Sequence, residues 1–282
     1  MAVTVGLVAQ IIERLAPKSW AEDWDNVGLL VGSGSAPVER ILITLDGTLA
    51  VVEEAKAFGA QLIVAHHPII FRPLKNLRSD NAAAQVPLQL LQNSIGYYAA
   101  HTNLDQSIVS SSRALGEVLG LQEMKIFEES EDDLVPIHKR SEARGYGVSG
   151  YLSHPEKLGV LWKNFLDSLG QSGVYAQPYK LSGVRLAGSV EKEMRKVAIV
   201  NGSGGRFVAK ALFKGADLLI TGDVDHHAVL DALEGGMAVG DLGHFLSEAP
   251  MLQAMYRYLS AEKALQGVEI RVSAINQSPW LL

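Results

Sequence analysis

ILITLDGTLAVVEEAKAFGAQLIVAHHP, residues 41–68, decides the fold class. Ile41–Leu45 is a short run of branched apolar residues of the kind a buried strand requires. Leu49–Phe58 carries Val52, Ala55 and Ala57 on one side of a helix. Gly59 closes that helix, because glycine alone enters the left-handed terminus without a steric cost. Leu62–Ala65 is a second buried run and delivers His66 and His67 directly at its end. Strand, helix and strand in this order form the unit of a parallel sheet.

The unit occurs twice. Moving 41–66 by 156 positions lays it without gaps on 197–222: Ile43 meets Ile199, Val52 meets Val208, Ala55 meets Ala211, and Gly59, Ala60 and Leu62 meet Gly215, Ala216 and Leu218. Small apolar residues coincide often, and any two strand–helix–strand units look alike. What adds weight is that strand, helix, glycine cap and strand all fall in step. The expected architecture is therefore α/β, with two related lobes, mixed sheets flanked by helices, and a dinuclear metal site between them.

Further elements extend this frame. Helices are expected at Val5–Leu15, Gln85–Gln92, Ser112–Leu119, Glu156–Leu169, Phe207–Phe213 and about Ser247–Leu259. The stretch from Trp20 to Gly32 reads as a loop leading into a strand. Other strands are expected at Gly96–Ala100, Gly147–Leu152, Lys196–Val200, Asp217–Thr221 and Val268–Ile275. Residues 128–144 pass from an acidic run to a basic one with little apolar content, which reads as an exposed linker. The lobes are thus expected at 1–127 and 145–282, with the last strand able to pair with the first lobe.

Composition narrows the chemistry. There is no cysteine, so disulfides, thiolate zinc sites and a cysteine nucleophile are excluded. With 48% hydrophobic and 20% charged residues, the chain can bury a real core. The net charge of -6 does not indicate a nucleic-acid binder, although a local basic patch is left open. Neither a basic-then-apolar leader nor a long apolar run is present, so a cytoplasmic protein without a membrane span is expected.

Histidines and carboxylates follow the expected strands. Pro68 pushes His67 toward extended geometry, and two adjacent imidazoles at a strand end can each grip a different ion; an exposed or hydrogen-bonded pair is the plainer alternative. His244 and Glu248, four apart, share one helix face. A glutamate near a helix N-terminus is also favourable without any metal. His101 and Asp105 repeat the four-residue spacing, although Asp105 also suits a turn or cap. Imidazole and carboxylate without thiolate suit a hydrolytic two-metal site, in which such ions lower the pKa of water and polarise a substrate oxygen. The ligand candidates are His66, His67, Asp105, His244 and Glu248, with His101 and His227 as candidate proton carriers. Asp25 and Asn26 can orient ligating histidines or simply form a turn. NGSGG at 201–205 can cradle a phosphate but matches no Walker or Rossmann pattern. No Gly-x-Ser-x-Gly elbow is present.

WDNVGLLVG at 24–32, LDGT at 45–48, HHPIIF at 66–71, HTNLD at 101–105, GDVDHH at 222–227 and GHFLSE at 243–248 together resemble the Nif-three-like family, also called GTP cyclohydrolase 1 type 2 homologues. The resemblance spans nearly the whole chain, and HHP with the terminal GHxxSE is its specific part. It implies two α/β lobes, a dinuclear metal centre and a toroidal homohexamer with the sites facing its cavity; the donor types suit zinc, manganese or iron as the two divalent cations per subunit. It places the metal ligands on His66, His67, Asp105, His244 and Glu248, with His101 close by. The large extra domain of some members does not fit in about 125–195. A metal-dependent hydrolase acting on a nucleotide or related small molecule is the leading expectation. A non-catalytic metal-binding ring that holds partner proteins or nucleic acid is the alternative.

Overall fold

The computed structural model describes residues 2–130, 144–181, 183–275 and 278–280. It divides into two compact units, Met1–Ser107 with Leu252–Asn276, and Ile108–Met251 with Gln277–Leu282.

The first unit is built on a five-stranded sheet. Strands β1 (Gly28–Val31), β2 (Arg40–Thr44), β3 (Leu62–Ala65), β4 (Gly96–Ala99) and β11 (Glu269–Val272) stand in the order β1-β4-β3-β2-β11. Only β1 runs antiparallel to its neighbour. All four residues of β3 are buried, as expected of a central parallel strand covered on both faces. Helix α1 (Val5–Leu15) is capped by Thr4, whose hydroxyl accepts the Leu7 N–H at 3.3 Å. It buries Val5, Val8, Ile11 and Ile12. Helix α2 (Leu49–Phe58) is capped in the same way by Thr48 and ends at Gly59, whose φ is 72°. Leu42, Val52, Ile63 and Tyr97 meet in the core beneath it. Each such side chain contributes roughly 1.5–3 kcal/mol by leaving water. Helices α3 (Ala82–Gln92) and α4 (Thr102–Asp105) and nearly all of α10 (Pro250–Ala261) complete the unit.

The second unit holds a six-stranded sheet in the order β5-β6-β8-β9-β10-β7. Its strands are β5 (Gln122–Glu129), β6 (Gly145–Lys157), β7 (Arg185–Ala187), β8 (Glu193–Ser203), β9 (Leu218–Gly222) and β10 (Ala238–Asp241). Its helices are α5 (Ser111–Val118), α6 (Leu158–Gln171), α7 (Val208–Phe213), α8 (His226–Glu234) and α9 (His244–Glu248). Strands β8, β9 and β10 are parallel, and the other pairings are antiparallel. Phe127, Ala198, Leu219 and Val239 lie in its core.

The repeat extends to strand register. Ile41 pairs with Leu62 and Ile43 with Val64; 156 positions later, Val197 pairs with Leu218 and Ile199 with Ile220. Gly59 and Gly215 share the left-handed conformation, with φ of 72° and 69°. Beyond this point the spacing changes. Leu62 pairs with Gly96, whereas Leu218 pairs with Ala238, so Thr102 corresponds to His244 and Gln106 to Glu248. The matching four-residue spacings of His101–Asp105 and His244–Glu248 are therefore not equivalent positions: His101 precedes its helix and His244 begins one.

The first unit ends at Ser107 rather than at 127, because α5 packs on β6 and β8 and β5 pairs with β6. The tail from Leu252 belongs to the first unit, because β11 pairs with β2. Of the expected linker, Glu128 and Glu129 end β5, and 131–143 lie outside the described residues. Among the described residues no helix is long and apolar enough to cross a membrane.

Candidate metal sites

Three imidazoles gather at the carboxyl edge of the first sheet, where open α/β sheets place their sites. His66 follows β3, is 2% exposed, and donates from Nδ1 to the Ala100 carbonyl at 2.8 Å. His67 places Nδ1 at 2.8 Å from Asp46 Oδ1, and its own carbonyl accepts the Tyr97 hydroxyl at 2.8 Å. His101 follows β4 and places Nδ1 at 2.9 Å from Asp25 Oδ1. The same logic governs all three. An oxygen acceptor holds the proton on Nδ1, and the lone pair of a neutral ring then sits on Nε2. One ligand nitrogen from each ring lies within 4.8 Å of the others. Asp105, on α4, brings Oδ1 to 3.8 Å from His66 Nε2.

Asp25 shows how the second layer is built. Its Oδ2 accepts the Thr102 N–H at 3.1 Å and the Thr102 hydroxyl at 2.6 Å, and its Oδ1 also accepts the Asn26 N–H at 2.8 Å. Burial pushes its carboxyl up, but the hydrogen bonds from His101 and Thr102 and the His101 charge outweigh it and bring the carboxyl down to about 2. Asn26 donates to the Ile70 carbonyl at 2.5 Å and so ties the WDN loop to the HHPIIF loop.

The second unit presents a smaller set. His244 opens α9, with Nε2 at 3.1 Å from Glu248 Oε2 and Nδ1 at 2.9 Å from Asp223 Oδ2. Glycines allow this approach. Gly243 has φ 72° and ψ 163°, a region essentially reserved for glycine. A Cβ on Gly222 would stand 2.7 Å from the Gly243 carbonyl oxygen. Gly202, at φ +67°, faces Glu248, whose Oε1 would lie 2.5 Å from a Cβ there. Asp223 itself has φ 47°, unusual for a residue with a side chain, and this turn aims its carboxylate at His244.

The family model described as Duf34/NIF3 (NGG1p interacting factor 3) matches residues 3–279. The chain belongs to the Duf34/NIF3 family. Within it, a relative from Clostridium perfringens named GTP cyclohydrolase 1 type 2 homolog is 37% identical over 275 residues, covering 97% of both chains. One of the same name from Clostridium acetobutylicum is 33% identical over 282 residues, covering 99% of both. The solved structure of a Bacillus cereus protein related to NIF3 superposes with a TM-score of 0.88 at 25% identity, covering 100% of this chain and 99% of the other. The expected α/β architecture, with two mixed sheets flanked by helices, is the architecture of this Duf34/NIF3 chain.

The donors present fit a divalent metal: imidazole nitrogens fixed in tautomer by oxygen acceptors, with carboxylates beside them, suit zinc, manganese or iron. His101 belongs to the imidazole group. His227 is exposed on α8, and its backbone N–H donates to Asp225, which caps that helix. Two second-layer residues were not singled out from the sequence, Asp46 and Asp223. Each stands inside a motif, LDGT and GDVDHH, and an acid close to ligating histidines is the available signal.

Proposed function

We propose that the chain is a metal-dependent hydrolase whose ligands His66, His67, Asp105, His244 and Glu248 serve two divalent cations. The observation that carries this reading is the set of three imidazoles, each anchored at Nδ1 and converging to within 4.8 Å. Such anchoring is what metal-ligating histidines require. When bound, the cations would supply Lewis acidity and lower the pKa of water. Asp46 and Asp223 orient His67 and His244 for them. Asp25 holds the His101 ring by Nδ1, which leaves Nε2 to accept a proton from the attacking water and return it to the leaving group. The relatives' name, GTP cyclohydrolase 1 type 2 homolog, supports a nucleotide or related small molecule as substrate.

The test is a nucleotide hydrolysis screen of the parent and Glu248→Ala proteins, with bound metal measured in parallel. Metal and turnover are expected to fall together. Full turnover in Glu248→Ala would overturn the reading.

A further inference from the structure

We propose that the second unit carries a separate small-molecule site: a pocket for a compact organic oxyanion, with the anionic group on Arg185 and His226 and a ring-sized apolar body beneath. A half-open cleft of about 210 Å³ lies between β7, β10, the turn after β9 and the start of α8. Val224, Val229 and Val239 wall it, and the polar groups that converge on it are Arg185, His226 and Asp241. A mostly apolar cavity with a few convergent polar groups is the usual form of a small-ligand site. The volume suits a single ring with one substituent and is small for a complete nucleotide.

The charges in the pocket select the ligand. Asp241 is 3% exposed and committed on both oxygens: Oδ2 pairs with the Arg185 guanidinium, and Oδ1 accepts the Gly243 N–H at 2.7 Å. It therefore offers little to a cationic ligand. Arg185 uses one nitrogen, Nη2, for both Asp241 and the Val224 carbonyl at 3.4 Å. Its Nε and Nη1 donors, and both ring nitrogens of His226, make no hydrogen bond among the described residues. The Arg185 side chain is 67% exposed, so an incoming oxyanion can reach it. Asp241 and Val224 hold the guanidinium, so a planar fork is in place before the ligand arrives, which reduces the ordering cost of binding. The donors and apolar walls together describe a carboxylate or a phosphate monoester on a compact apolar group.

The test is fluorine NMR of the full-length, metal-replete protein with para-fluorobenzoate, para-fluorophenyl phosphate and the neutral para-fluorobenzamide. At least one of the two anions is expected to bind and the amide is not; which anion binds more tightly tells carboxylate from phosphate. Arg185→Met should weaken anion binding about tenfold or more, the loss of a charge-assisted hydrogen-bonded contact, at unchanged metal content. His226→Ala, an exposed position whose replacement leaves the fold alone, should weaken it several-fold. Equal binding of the amide, no binding of either anion, or anion binding that survives both substitutions would overturn the proposal. The last outcome would place the anions on the metals instead.

Discussion

Replacing Gly202 by alanine tests whether Glu248 is held where a metal needs it. Gly202 lies near the end of β8 with φ +67°, and its N–H donates to Ser247 Oγ at 2.9 Å. A Cβ there would meet Glu248 Oε1 at 2.5 Å, against the 3.4 Å at which ordinary contact begins, so the carboxylate must retreat by about 0.9 Å. Glu248 is 3% exposed and has little room to retreat. An alanine in the left-handed region also costs about 1–2 kcal/mol of backbone strain. The expected outcome is a melting temperature about 2–8 °C lower. Metal affinity should fall about 10–100-fold, the range seen when groups supporting a metal ligand are disturbed. Differential scanning fluorimetry gives the first quantity, and competition with a chelator gives the second. A Gly202→Ala protein that loses stability yet keeps parental metal affinity would refute the reasoning, because the strain would be present without any consequence at Glu248.

Asp25→Asn should lower turnover by about 100-fold at unchanged metal content, because a His101 ring no longer fixed by a carboxylate is a poorer proton carrier, as read by nucleotide hydrolysis beside elemental mass spectrometry. The same variant tests linkage. A carboxyl lowered from 3.8 to about 2 stabilises the fold above pH 3.8, and that contribution is lost as pH falls through about 2. Parental stability should therefore fall across that window more steeply than that of Asp25→Asn, as followed by circular dichroism in an acid titration. Tyr97→Phe removes the donor to the His67 carbonyl from a fully buried ring, whose hydroxyl burial holds well above its ordinary range. It should cost about 1–2 kcal/mol in denaturant unfolding, with metal content unchanged because the backbone carbonyl is not a ligand.

The parallel units were legible in the sequence because their signals are local. Branched apolar runs and a glycine after the helix each act within a few residues, and the shift of 156 carries them into the second unit with the pairing register intact. β5 was not legible. Gln122–Glu129 breaks the alternation that marks a strand, with Ile126 beside Phe127 and Glu128 beside Glu129, and its partner β6 lies beyond residues 131–143. β7, three residues long, is defined by its neighbour β10 rather than by its own pattern. β6 runs on to Lys157, through His154 and Pro155, with a register break against β8 between Tyr151 and Glu156; this delays α6 to Leu158. At the candidate sites, histidines stand out because they are rare and follow strands. Asp46 and Asp223 look like ordinary turn residues until the fold brings them to His67 and His244. The one-position offset between the two short helices was likewise invisible, since it is set by where β4 and β10 pair with their neighbours.

The most direct test of the central claim is the metal content of the protein purified without added metal or chelator, measured by elemental mass spectrometry beside His67→Ala and Glu248→Ala. The account predicts about two divalent ions per chain in the parent, as a two-metal hydrolase requires, and loss in both variants. A parent that holds no metal after incubation with zinc, manganese and iron(II), or variants that keep the full parental content, would contradict it.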